Sequence, residues 1–293
     1  MPGVAAAGPR DERELIPVRM WYQSMADLSR YPAYGDTLRR RASSLLRPGT
    51  EVDVHGAEPG TYGELPPASV SNHPLAYHVL LDQVVGNAIR AEREGCDVMV
   101  LGSYSEPHLR VIRSAVDIPV VSLAETTLLT GCQLARRIGL VTVTAGIAWM
   151  IDHIVDNHSL RDRTVPVQVT DPEVLEDDLV AALDEPDRII ELFVAAARRA
   201  IAQFADVIIP AEGIFSQLLA DRGIREIDGV SVMDCVAVTL LEAEKMALLH
   251  AETGLIQGRR WEYPKVDAVR EQLLVQHADR IPLSAAQLGG VRV

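Results

Sequence analysis

Along the chain, short runs of consecutive apolar residues alternate with longer stretches in which apolar positions recur every three to four residues. A strand covered on both faces has no polar side to show, so it reads as an unbroken apolar run. Runs of this kind fall at Val18–Gln23, Glu51–His55, Asp97–Gly102, Pro119–Leu123, Ile138–Thr142, Val165–Val169, Val207–Pro210 and Val230–Met233. Between them the helical spacing predicts helices over Ala76–Glu94, Thr126–Arg136, Ile189–Gln203 and Val236–Glu252. Strands alternating with helices define an α/β protein built on parallel sheet.

Two strand–helix units look alike. AEREGCDVMVLGS matches AIAQFADVIIPAE when Asp97 is laid on Asp206, an offset of 109 residues. PVVSLAETTLL matches GVSVMDCVAVTLL when Pro119 is laid on Gly229, an offset of 110. Chance similarity between apolar strands is the competing reading. A true repeat predicts two similar Rossmann-like lobes with parallel sheets, related by a pseudo-two-fold axis, with the active-site cleft between them. The expected division is a disordered lead-in over 1–16, a first lobe over 17–136 with one returning segment, a second lobe over 137–258 and a C-terminal extension over 259–293. Ligands of open α/β sheets bind beyond the C-terminal ends of strands. The repeat makes Ser103 and Glu212 equivalent residues at two such ends.

Composition narrows the chemistry. The 293 residues carry a net charge of −13, which argues against nucleic acid or an anionic membrane as a partner. No apolar run approaches the ~18 residues of a membrane span, and no signal-peptide pattern opens the chain. Three cysteines, Cys96, Cys132 and Cys235, are too few and too scattered for a disulfide framework and fit a reducing cytoplasm. The absence of CxxC and HExxH leaves no support for a metal, and the absence of GxGxxG and GxxxxGK removes the phosphate-binding loops of nucleotide cofactors. The expectation is an enzyme without a cofactor, acting on a small molecule.

The ordered set of segments resembles the aspartate/glutamate/hydantoin racemase superfamily, hydantoin racemases in particular. Arg47-Pro-Gly-Thr-Glu-Val-Asp-Val is similar to the start of their second strand, and DVMVLGSYSEPHL to their first catalytic strand and loop. IPVVSLAETTLLTGCQLARRIGLVTVT, ADVIIPAEGI and GVSVMDCVAVTLLEAEKMA resemble later segments in the same order, so that the likeness spans most of residues 17–255. The resemblance implies two facing lobes, no cofactor, identical subunits in an oligomer, and two cysteines on opposite faces of the substrate carbon. Ser103 stands in the first cysteine's place and Glu212 in the second's.

That replacement makes the pair unequal. A serine hydroxyl is a poor base unless another base activates it, whereas a carboxylate can take a proton. The expected reaction is a racemase-like proton transfer on a small carboxylate, amide or cyclic ureide. Hydrolysis or decarboxylation with Glu212 as general base is the alternative, and a non-catalytic small-ligand-binding protein is the alternative of another class. A plain reading of both residues is also open: a loop serine and a helix-capping glutamate. His108, beside Ser103 in the loop, is a further candidate acid or base. Candidate substrate contacts are Gln23 and Ser24 after the first strand, Tyr104 and Ser105 in the loop, and Thr142 and Thr144 after the fifth strand. Gly213 beside Glu212, and the helix-start pair Glu125 and Cys235, complete the set. Cys96 and Cys132 read as packing residues, and His73, His78, His153 and His158 as structural or surface residues. The C-terminal extension reads as an aromatic, Pro-containing segment followed by an amphipathic helix that wraps a neighbouring subunit.

Overall fold

The structure, a computed structural model, describes residues 16–265 apart from 64, 66, 68, 69, 71 and 72. The expected lead-in over 1–16, apart from Ile16, and the expected tail helix beyond residue 265 lie outside the described residues. The elements in chain order are β1 (Val18–Gln23), α1 (Pro32–Leu45), β2 (Thr50–His55), α2 (Pro74–Arg93), β3 (Val98–Leu101), α3 (Leu109–Ala115), β4 (Val120–Ser122) and α4 (Leu123–Leu134). There follow β5 (Ile138–Thr142), α5 (Ala145–Asn157), β6 (Gln168–Val169), α6 (Glu176–Ala181), α7 (Asp187–Ile201), β7 (Val207–Pro210), α8 (Gly213–Asp221), β8 (Glu226–Ile227), β9 (Val230–Val232) and α9 (Cys235–Thr253).

Two sheets result, with orders β2-β1-β3-β4 and β6-β5-β7-β9-β8. All neighbours run parallel except the short β8–β9 hairpin. The internal repeat is visible in the ladders. Asp97 N donates to Arg19 O at 2.7 Å and Asp206 N to Arg137 O at 2.9 Å. Gly102 N donates to Gln23 O and Ala211 N to Val141 O, both at 2.8 Å. Thus β3 and β7 hold the same place and register in their sheets, beside β1 and β5.

Burial of side chains from strands and helices alike supplies the main stabilising term. Trp21, Tyr22, Phe193 and Phe215 are fully buried, each worth roughly 1.5–3 kcal/mol relative to exposure for a side chain of this kind. The helices that close the two repeats cross over. Leu123, Ala124 and Leu128 of α4 share a core with Ile138, Leu140 and Ile209 of the second sheet. Val236, Leu240, Ala243 and Ala247 of α9 share one with Val18, Met20, Val98, Val100 and Val121 of the first. Gly131 lets α4 lie close, since a Cβ there would stand 2.9 Å from Ile138 Cδ1.

Polar side chains start the helices at the strand ends. Ser122 caps α4, Thr144 α5, Glu212 α8 and Asp234 α9. Each satisfies a backbone N–H that the helix itself leaves unpaired. The start of the C-terminal extension lies on its own chain: Arg259 donates to the carbonyls of Arg113 and Val116, and Lys265 pairs with Asp117.

Candidate active site

The C-terminal ends of β1, β3, β5 and β7 converge on one cavity of about 120 Å3. Its wall includes Ser24 after β1, Ser103, Tyr104 and Ser105 after β3, Val143 after β5, and Glu212 with Gly213 after β7. The expected pair thus shares one space, reached from opposite sheets because β3 and β7 are equivalent strands.

Ser103 Oγ lies 2.9 Å from Ser105 Oγ and accepts from Ser105 N at 3.2 Å. Glu212 is the N-cap of α8, and its Oε2 accepts from Ile214 N at 2.6 Å and Phe215 N at 2.9 Å. The plain capping role is therefore real, and it also fixes the carboxylate against the positive end of the α8 dipole. A rigidly held carboxylate can serve as base or acid without first paying to be oriented.

Tyrosine dominates the rest of the wall, a feature the sequence reading missed. Tyr31, Tyr34, Tyr62, Tyr77 and Tyr104 line the cavity. Tyr22 lies beneath Gly102, where a Cβ would come within 2.4 Å of its hydroxyl, and Tyr34 beside Gly213, where a Cβ would meet its hydroxyl at 2.5 Å. Burial first, and then the Glu212 charge, push the Tyr22 hydroxyl above its ordinary range; Tyr34 is raised by burial, Tyr22 and Glu212. Both phenols therefore stay neutral next to the carboxylate. Met25, Ile147, Met150, Leu179 and Val180 add an apolar side. No Lys, Arg, His or Cys stands among the described lining residues.

Several expected site residues are not brought to the cavity wall. Gln23 is spent on structure: its amide donates to Ser24 O and Gly56 O and accepts from Trp21 and Asn87. Thr142 Oγ1 donates to Ala211 O at 3.4 Å, and Thr144 caps α5. Glu125 forms an ion pair with Arg113; burial opposes its charge, but the Arg113 hydrogen bond holds its carboxyl below the usual range. His108 turns outward, 3.9 Å from Asp82 and edge-on to His78, with burial pulling its pKa down. Cys235 is fully buried under Tyr104, and burial pushes its thiol up to about 12. A neutral thiol packed this way is a weak nucleophile. Tyr104 does border the cavity, but its hydroxyl is engaged with Thr127 at 2.5 Å.

Behind the Ser103 loop lies a charged cluster. Glu106 Oε1 accepts from Glu125 N at 3.0 Å and from the Ser122 hydroxyl, while Oε2 meets His158 Nε2 at 2.7 Å. Among the described residues, no group of His, Cys, Asp and Glu has the make-up of a metal site. No helix among them is long and apolar enough to cross a membrane.

The fold and this strand-end cavity define an α/β protein with its site between two repeated sheets, and comparison with known proteins places it in a family. The Asp/Glu/Hydantoin racemase family profile matches residues 34–243. The chain therefore belongs to that family, whose characterised relatives are racemases, enzymes of the isomerase class. It is 25% identical over 230 residues to a hydantoin racemase of a Pseudomonas species (strain NS671), covering 78% of this chain and 86% of the relative. Among solved structures, allantoin racemase from Pseudomonas fluorescens aligns with a TM-score of 0.68 at 20% identity, covering 85% of this chain and 97% of that one. Glutamate racemase isoform RacE1 from Bacillus anthracis aligns at 0.54 and 13% identity, covering 90% and 94%.

Proposed function

We propose that this chain catalyses proton transfer, without a cofactor, at a carbon of a small neutral amide or cyclic ureide. Glu212 takes the proton, and Ser103, paired with Ser105 on the other sheet, hydrogen-bonds to the substrate. The observation that carries this reading is the shared cavity: Ser103 and Glu212 line it together, and the tyrosines and apolar residues described around them are neutral. A carboxylate ligand would bring a second negative charge up to that of Glu212 in a shielded cavity, where like charges repel strongly. A neutral ring flanked by carbonyls meets no such penalty, and tyrosine and serine hydroxyls are suited to its polar atoms. The relatives named for hydantoin and allantoin point the same way, since both names denote cyclic ureides. The volume of about 120 Å3 compares with the ~150 Å3 of a cavity that admits benzene, so a single small ring is the fitting size.

In mechanism, the carbonyls beside the reacting carbon acidify its C–H, and the carboxylate held at the start of α8 removes the proton. Negative charge then develops on a ring oxygen, where neutral hydroxyl donors stabilise it without reorganising. Among the described lining residues, none matches Glu212 as a second base. The pair therefore exchanges the proton with solvent faster than it inverts the centre. Among the described lining residues no imidazole or amine accompanies Ser103, which favours hydrogen bonding over nucleophilic attack.

The test is to incubate optically active 5-substituted hydantoins and allantoin with the protein, following optical rotation and product identity by NMR. Loss of rotation with the ring intact supports the reading. Ring opening or release of carbon dioxide would replace it with hydrolysis or decarboxylation. Ligand-induced thermal stabilisation without any turnover would make the chain a binding protein.

A further inference from the structure

The Ser103 loop is held at its far end by the start of α4 and by His158 from the second half of the chain. After presenting Ser103, Tyr104 and Ser105 to the cavity, the backbone turns through left-handed conformations at Glu106 (φ 44°) and His108 (φ 51°). Neither residue is glycine, so the turn persists only where its surroundings hold it. The Glu106 side chain supplies that hold. One oxygen takes the Ser122 hydroxyl and the Glu125 N–H at the start of α4, and the other takes His158 Nε2 at 2.7 Å. His158 is the C-cap of α5, and earlier in the same helix Ile147 and Met150 form part of the cavity wall. A single imidazole–carboxylate contact therefore joins the helix that walls one side of the cavity to the loop that carries Ser103.

We infer that His158 is a positioning residue: through Glu106 it sets the conformation of the Ser103 loop, and it does so most firmly when protonated. The Glu106 and His158 side chains are mostly shielded, at 9% and 18% exposure, so their attraction is little screened. The charged groups that bear on His158 are Glu106 from the loop, Glu125 from α4 and Arg113 from α3. Arg113 is itself bound to Glu125, which leaves the Glu106 carboxylate as the main influence. The Glu106 hydrogen bond raises the imidazole above its ordinary range despite burial. A neutral imidazole retains an N–H donor, but a charge-assisted bond is about twice as strong. The loop is therefore held tightly at acidic pH and more loosely once the proton leaves. The geometry stands independently of the proposed reaction; only the catalytic consequence rests on the role given to Ser103.

Hydrogen exchange on the full chain, read by mass spectrometry at pH 5.5, 7 and 8.5 and corrected for intrinsic rates, tests this directly. In the wild type, protection over residues 103–108 should fall as pH rises, while Ile138–Thr142 stays unchanged. His158→Ala should exchange about tenfold faster over that loop at pH 5.5, the factor expected for losing a charge-assisted bond. His158→Gln keeps a neutral donor, so it should fold and show intermediate protection with no pH slope. A loop whose protection is independent of pH in the wild type, or is the same in wild type and His158→Gln at pH 5.5, would overturn the inference. If turnover is found, kcat/KM should decline on the alkaline side in the wild type and lose that limb in His158→Gln. An absence of turnover bears on the proposed reaction and leaves the exchange result intact.

Discussion

Tyrosine side chains decide what the cavity can hold. Five of the seven tyrosines line it and a sixth lies directly below, so the wall is aromatic yet able to donate hydrogen bonds without charge. This clustering was not legible from the sequence. Tyr22 sits in a strand, Tyr34 and Tyr77 in helices and Tyr62 in the loop before α2, and each alone reads as an ordinary half-buried aromatic. The available signal was compositional: seven tyrosines against three phenylalanines. Tyr34→Phe keeps the ring and removes the hydroxyl next to Glu212, so the fold should persist while turnover falls about tenfold, a loss typical of one hydrogen bond; unchanged kinetics would remove Tyr34 from the site. Gly213→Ala would drive a methyl against the Tyr34 hydroxyl and should cost about 1–3 kcal/mol by overpacking, measurable by urea denaturation. Cys235, with its thiol pushed up to about 12, should resist a thiol reagent at pH 8 until the protein unfolds. Labelling of Cys235 in the native state would show that the β7–α9 junction opens.

At the scale of elements, the strands were the most legible part of the chain. Val18–Gln23, Ile138–Thr142 and Val207–Pro210 agree with the sequence reading at both ends, because a strand buried on both faces leaves an unbroken apolar run. The run at Val165–Val169 yields only Gln168–Val169, with a bridge from Thr164 to Ile138. Pro166 has no N–H to give the ladder, which explains the gap. The strand Glu226–Ile227 was overlooked because it is two residues long with one side chain exposed. Its signal was Asp228-Gly229, both at positive φ, a dipeptide suited to a tight hairpin. The start of α4 was placed too late, at Thr126, since the Ser122 cap begins the helix at Leu123. Capping also determines how Glu212 must be probed. Glu212→Ala removes both hydrogen bonds to the start of α8 and should cost ~0.5–2 kcal/mol in stability. Glu212→Gln retains an acceptor oxygen and should leave the melting temperature nearly unchanged. Equal destabilisation by the two variants would contradict the cap geometry.

For the whole molecule, the repeat was readable but the exchange of helices was not. Near-equal offsets in sequence locate equivalent strands, whereas the choice of sheet for α4 and α9 depends on residues brought together from distant segments, such as Gly131 against Ile209. The Glu106–His158 contact is invisible for the same reason: its partners are 52 residues apart in sequence, and His158 alone resembles a surface residue. Two histidines should give global stability opposing pH trends. Burial lowers the His55 pKa from 6.5 to about 4, so its contribution is present above 6.5 and is lost as pH falls toward 4. His158 is shifted upward from 6.5, so its contribution is full below 6.5 and is lost as pH climbs through its raised value. Thermal melts should therefore show the wild-type advantage over His55→Gln shrinking from pH 7 to 4, and that over His158→Gln shrinking from pH 6 to 9. Trends of the opposite sign would place these rings in other environments. The central claim is that the cavity between the sheets holds one strong base, Glu212, faced by a weaker partner, Ser103. The most direct measurement is deuterium incorporation from heavy water into the ring C–H of a chiral cyclic ureide, timed against loss of optical rotation, for the wild type, Ser103→Ala and Glu212→Gln. The account predicts incorporation faster than inversion in the wild type, slowed but present in Ser103→Ala and abolished in Glu212→Gln. Full incorporation by Glu212→Gln would contradict it.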